Sequence, residues 1–171
     1  MDYIQIGLLI AGLISSVGTI LAVLTAKKAM RTDHERRKKQ STIDFYSNIS
    51  NDYGIPLRNL ITEKYKRNVS VIKSTDKEYA DNKQEFDNQV RLYVRNMHKI
   101  AVGIELDIFD FEVFYLLSGD ATIQLYQKIK NLIEERQNDG GLKSFSREFE
   151  KLYNKLNVKN RKELLVKYGS M

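Results

Sequence analysis

Apolar and polar positions divide this chain sharply at residue 26. Ile4 to Ala26, IQIGLLIAGLISSVGTILAVLTA, is a run of 23 residues without a charge. As a helix it measures about 34 Å at roughly 1.5 Å per residue, enough to cross a bilayer with some tilt. A cleaved signal peptide would carry a basic leader and a shorter apolar core. Here the chain starts Met1-Asp2-Tyr3, and Lys27-Lys28 follow the run instead. A core helix of a water-soluble fold would be shorter and would show one polar face. The pattern therefore predicts an uncleaved membrane anchor.

The two sides of this helix differ. At 100° per residue, Gly7, Ala11, Ser15, Gly18 and Ala22 share a narrow stripe, and Gln5, Gly12, Ser16 and Thr19 lie beside it. Ile6, Ile10, Leu13, Val17, Ile20, Leu21 and Leu24 occupy the other side. Small residues four apart let membrane helices approach closely, and hydroxyls and amides bond across the contact. The small face is expected to mediate self-association. The stripe of Gln5, Gly12, Ser16 and Thr19 is the one that could line a pore in a ring of copies.

Beyond residue 26 the period is helical. No Gly or Pro falls between Ala26 and Asn51, so the helix should continue, with Ile43, Tyr46 and Ile49 docking on a domain. Asn51-Asp52-Tyr53-Gly54 reads as a stop, and Pro56 as the first turn of a short helix to Lys66 carrying Leu57, Leu60 and Ile61. A loop follows over 68–76, in which Val69 and Val71 could form a brief extended piece. Lys77 to Val102 reads as the central helix, with Phe86, Val90, Tyr93, Val94, Met97, Ile100, Ala101 and Ile104 on one face. Asp110 to Leu117 is nearly apolar all round and should be buried, ending at Gly119. Asp120 to Asn138 follows, with Ile123, Tyr126, Ile129, Leu132 and Ile133 inward. After Asp139-Gly140-Gly141, Ser144 should cap a last helix to Leu156, striped with Phe145, Phe149, Leu152 and Tyr153, before a polar tail. The class is all-α: an anchor over 1–26, a basic juxtamembrane helix over 27–50 and a compact helical domain over 51–171.

Charge fixes the expected topology. Residues 27–39 hold seven Lys/Arg (Lys27, Lys28, Arg31, Arg36, Arg37, Lys38, Lys39) against two Asp/Glu, a net of +5, which leaves +1 for the rest of a chain whose total is +6. Basic residues just past a span stay in the cytoplasm. The expected location is the bacterial inner membrane, single-pass, with the C-terminal domain cytoplasmic. The same seven cations would meet anionic lipid headgroups. A nucleic-acid partner for this cluster needs further assumptions, whereas topology accounts for it directly.

Composition excludes most chemistry. There is no cysteine, so there is no disulfide frame and no thiolate nucleophile or metal site. No phosphate loop, dinucleotide fingerprint or HExxH occurs, and no metal or cofactor is expected. Of the two histidines, His34 lies in the basic run. His98 lies in VRLYVRNMH, which sets Arg91, Arg95 and His98 within about 60° on the central helix, with Asn88 near the same line. Two guanidiniums and an imidazole could hold a phosphodiester and move a proton. A solvated polar face paired with acidic side chains is the plainer account, and it would give Arg91 an acidic partner.

Arg91, six residues and His98 resemble a relaxed R-x(4–6)-H motif of the HEPN superfamily, small helical bundles that are often dimeric and often ribonucleases. Asn96 follows Arg95, but His98 then comes too soon for the usual spacing, which weighs against an enzyme. One span, a basic collar, a helical domain and a diverged HEPN motif together resemble the membrane accessory proteins of type VI-B CRISPR systems. Phe86 to Leu156 also resembles an uncharacterised helical domain of bacterial single-span proteins. The resemblance implies phage defence: a ring of copies that perturbs the membrane beside an RNA-guided, RNA-targeting effector. The alternatives are a membrane-tethered HEPN ribonuclease using Arg91 and His98, and a non-catalytic scaffold or regulator.

Overall fold

The computed structural model describes residues 3–66, 69–138 and 143–168, and the side chains of 18–66, 69–136, 146–163 and 166. Contacts divide the chain into two compact units, Met1–Lys38 and Lys39–Met171. All regular structure among the described residues is helical. Among the described residues six α-helices occur: α1 (Tyr3–Ile49), α2 (Ile55–Tyr65), α3 (Lys77–Asp81), α4 (Lys83–Glu105), α5 (Phe111–Asn138) and α6 (Lys143–Tyr168).

In the first unit, every described residue of α1 from Gly18 to Arg37 is exposed. Most of the expected span Ile4–Ala26 falls on residues 4–17, outside the described side chains. Among the described residues no helix is long and apolar enough to cross a membrane.

In the second unit, α4 is the central element. Phe86, Val90, Val94 and Met97 are fully buried, and Tyr93 and Ile100 nearly so. The α6 helix packs along both α4 and α5, and α2 packs on α4. Aromatic rings fill the middle: Phe149 meets Tyr93 edge-on at 5.8 Å and Tyr126 at 5.0 Å, and Tyr126 stacks on Tyr153 at 4.1 Å. Such pairs contribute about 0.5–1.5 kcal/mol beyond their buried area. Burial pushes the Tyr93 and Tyr126 phenols up from their ordinary pKa.

Several boundaries differ from the sequence pattern, each for a local reason. Asn51-Asp52-Tyr53-Gly54 does not stop the chain. Residues Ser50–Gly54 form a π-helical turn, closed by Ile55 N–H donating to the Ser50 carbonyl. Gly54 stays right-handed there and buried, with the Tyr93 ring 3.8 Å from where a Cβ would lie. The expected central helix breaks at Asn82, which leaves the helical region at φ −124°, ψ 24°. The break turns α3 so that Tyr79 packs on Phe86 at 5.8 Å. Gly119 ends nothing: α5 runs through it, and the Tyr115 ring lies where its side chain would be.

Three apolar expectations also change. Leu116 and Leu117 point outward, at 80% and 46% exposure, because α5 turns only Phe114 and Ser118 of that stretch into the core. Ile43 is exposed while its neighbour Thr42 is buried and accepts the Asp110 N–H at 2.7 Å. No strand forms at Val69 or Val71 among the described residues; Ile72 instead plugs the core, its N–H on the Lys128 carbonyl at 2.8 Å. The polar tail is helical to Tyr168, held by Asn160 to Asp120 at 3.1 Å, Glu163 to Tyr115 at 2.8 Å, and Lys159 to Glu112. Ser144 falls inside α6, and its side chain and that of Phe145 lie outside the described ones.

The α4–α5 corner shows how closely backbone and ring are fitted. Asp107 is left-handed at φ 59°, and Ile108 N–H reaches the Gly103 carbonyl at 2.8 Å, closing a Schellman turn. The Phe109 ring then lies over Gly103 and stacks on Phe45 at 4.9 Å. A Cβ on Gly103 would meet that ring at 2.2 Å. We expect Gly103→Ala to lose about 1–3 kcal/mol in denaturant unfolding despite its better helix propensity. Leu116→Ala should stay within about 0.5 kcal/mol of the parent.

Candidate functional site

The polar side of α4 is set by its apolar side. Once Phe86, Val90, Tyr93, Val94 and Met97 turn inward, Arg91, Arg95 and Lys99 must face out, and all three are exposed. His98 sits at the border: the residue is half-buried and its Nδ1 is buried. Arg91 therefore shares a helix side with Arg95 and His98, two turns before the imidazole.

The partners of these residues differ from the expected ones. Arg91 donates to Asn88 Oδ1 at 2.9 Å, one turn back, rather than to a carboxylate. Asn96 is not on this face. It is 7% exposed, its Nδ2 donates to the Leu92 carbonyl at 2.8 Å, and its Oδ1 accepts from Lys99 at 3.3 Å. A buried amide so engaged holds the helix and the lysine rather than a ligand.

Acidic groups nearby are already matched. Asp87 pairs with Arg136 of α5 and accepts from the Tyr79 hydroxyl, while Arg136 also donates to the Asp87 carbonyl at 3.1 Å. A groove of about 190 Å³ between α4 and α6 is lined by Ala101, Ile104, Glu105, Glu148, Lys151, Leu152 and Lys155. Lys151 closes it, with Glu148 at 2.8 Å and Glu105 at 3.6 Å. The hydrogen bond from Lys151 holds the Glu148 carboxyl below its ordinary pKa. Among the described residues no group of His, Asp or Glu could hold a metal ion. What the α4 face offers chemically is two exposed guanidiniums, Arg91 tied to Asn88 along its own helix, beside one half-buried imidazole.

The residues of the apolar run and its basic flank divide by position. Gly7, Ala11 and Ser15, with Gln5, Gly12 and Ser16, lie outside the described side chains. Gly18 faces open space, with nothing within 4 Å of where a Cβ would lie, and Thr19 and Ala22 are exposed. Lys27, Lys28, Arg31, Arg36, Arg37 and Lys39 are exposed and Lys38 is half-buried; Arg37 pairs with Asp33 at 2.8 Å. Sequence reasoning missed the cation–aromatic seam between α5 and α6. There Lys155 lies 4.2 Å from the Phe111 ring and Lys159 4.4 Å from the Tyr115 ring. The i, i+4 spacing of both pairs was the available signal.

One family profile matches this layout from residue 12 to residue 156, described as Domain of unknown function (DUF4760). The chain belongs to that family. Its match spans the division at Lys38, so the DUF4760 unit includes the end of the apolar run and the basic collar as well as the bundle. No curated protein and no solved structure matches.

These placements separate the two members of the motif. Arg91→Ala removes an exposed side chain bonded only along its own helix and should change stability by less than about 0.5 kcal/mol. His98→Ala removes a half-buried ring and should cost about 1–3 kcal/mol. Thermal or denaturant melting of the two purified variants checks this; equal losses would mean that Arg91 reaches across a subunit contact.

Proposed function

We propose that this chain is a single-pass inner-membrane protein of bacterial antiviral defence. In this reading copies assemble through the apolar helix, perturb the membrane, and act beside an RNA-guided, RNA-targeting effector. One observation supports it above the others. Ile20, Leu21, Val23 and Leu24 are each between 58% and 61% exposed and fan over roughly half of α1. No described part of the chain covers them. Leaving such side chains in water forgoes about 1.5–3 kcal/mol each, so the helix calls for lipid or other copies of itself. The small residues Gly18 and Ala22 occupy its opposite side.

The bundle supplies the cytoplasmic part. The groove between α4 and α6 is closed by the Lys151 ion pairs, and the α4 cations face outward, which suits contact with a partner. The second reading, a membrane-tethered HEPN ribonuclease, draws on the exposure of Arg91 and Arg95 beside His98. RNA left intact by purified wild-type protein removes that reading.

Two measurements test the first. Gly12→Leu should lower the oligomer size of detergent-purified protein, and Ile10→Leu on the bulky side should not. Cells expressing the protein with its effector should depolarise during phage challenge. Retained membrane potential would exclude the pore, and equal behaviour of both variants would move assembly into the bundle.

A further inference from the structure

The seven cations after the apolar run are not equivalent. Lys27, Lys28 and Arg31 crowd into the first five residues and carry +3 with no acid among them. Residues 32–39 carry four cations against Asp33 and Glu35, a net of +2. Within this second group Arg37 is already paired with Asp33 at 2.8 Å. No acidic side chain pairs with Lys27, Lys28 or Arg31 among the described residues, and all three are exposed.

Geometry puts the first three together. Arg31 follows Lys28 by three residues and Lys27 by four, so the three share an arc of about 100° and are nearest neighbours on the helix surface. Like charges at those spacings repel. An anion seated among them removes the repulsion, and a phosphate can accept from the Arg31 fork and from both ammonium groups. Two nearby hydroxyls leave the site to the cations: Thr25 donates back to the Leu21 carbonyl at 2.8 Å and Thr32 to the Lys28 carbonyl at 3.0 Å.

Depth then selects the anion. A bilayer's polar layer adds about 5–7 Å beyond its hydrocarbon on each side. At about 1.5 Å per residue, Lys27 to Arg31 lie about 1.5–7.5 Å past Ala26, inside that layer. Arg36 to Lys39 lie about 15–20 Å past it, and the Debye length at physiological salt is about 8 Å. From these positions we infer that Lys27, Lys28 and Arg31 form a binding site for the phosphate of an anionic phospholipid, and that Arg36, Arg37 and Lys39 take no part in it. The inference rests on the membrane-anchored reading and names the lipid class that reading leaves open.

The experiment uses the full chain in detergent micelles supplied with phosphatidylcholine or phosphatidylglycerol, and counts retained lipid by native mass spectrometry. Wild type should keep phosphatidylglycerol in preference to phosphatidylcholine. Lys27→Gln, Lys28→Gln and Arg31→Gln should each weaken retention about fivefold, and on the order of 100-fold together. The four remaining cations preserve orientation in that triple variant. Arg36→Gln, Arg37→Gln and Lys39→Gln together should leave retention unchanged. Equal loss in both triple variants, equal retention of the two lipids, or displacement by inorganic phosphate would each overturn the lipid site. Alkaline carbonate extraction of cell membranes separates the two levels. Wild-type protein that stays in the pellet without preferring phosphatidylglycerol refutes the lipid site alone, and protein released by carbonate refutes the anchor beneath it.

Discussion

Removal of the α4 apolar face from water is the constraint on which the second unit depends. Phe86, Val90, Val94 and Met97 are fully buried, and each such side chain contributes about 1.5–3 kcal/mol. No neighbour alone could cover that face. The α2 helix brings Leu57, Leu60 and Ile61, α5 brings Phe114, Ile129, Leu132 and Ile133, and α6 brings Phe149, Leu152 and Leu156. The outward direction of Arg91, Arg95 and Lys99 follows from the same fact, since a 3.6-residue period leaves them no other side.

Polar ties then fix what burial leaves loose. Residues 69–76 have no helix or strand whose backbone bonds would fix them. Instead Ile72 is plugged into the core, Ser74 donates to Glu135 at 3.0 Å, and Asp76 accepts from both the Lys73 N–H at 2.9 Å and the Tyr65 hydroxyl at 3.1 Å. Arg136, Asp87 and Tyr79 join α5, α4 and α3 in the same way. A half-buried ion pair of this kind stabilises little by its charges alone. Its four-way hydrogen bonding is what gives it a defined geometry.

The first unit obeys the opposite rule. Ile20, Leu21, Val23 and Leu24 are covered by nothing in the described chain, and Lys27, Lys28 and Arg31 pair with no acid among the described residues. A DUF4760 profile that begins at residue 12 treats that helix and the bundle as one piece. The physical properties of the two parts complement each other: one is uncovered apolar surface, the other a closed core with a charged exterior.

Much of this could be read from residue order. Periodicity alone identified the buried faces of α2, α4 and α5, because an amphipathic helix has only one side to bury. Residue order also marked the apolar run and the collar, which are matters of composition. It failed where a tertiary contact outweighed a local preference. Gly119 and Asn51–Gly54 look like breaks in isolation, yet α5 packs straight through the first and a π turn carries the chain through the second. Asn82 looks like an ordinary helix residue, yet the packing of Tyr79 on Phe86 breaks the helix there. The candidate site divided along the same line. Its membership, Arg91, Arg95 and His98, followed from spacing on one helix. That Asn96 turns inward, that Arg91 is held by Asn88 and that His98 is partly shielded were decided only by what packs beside α4, information no single helix carries.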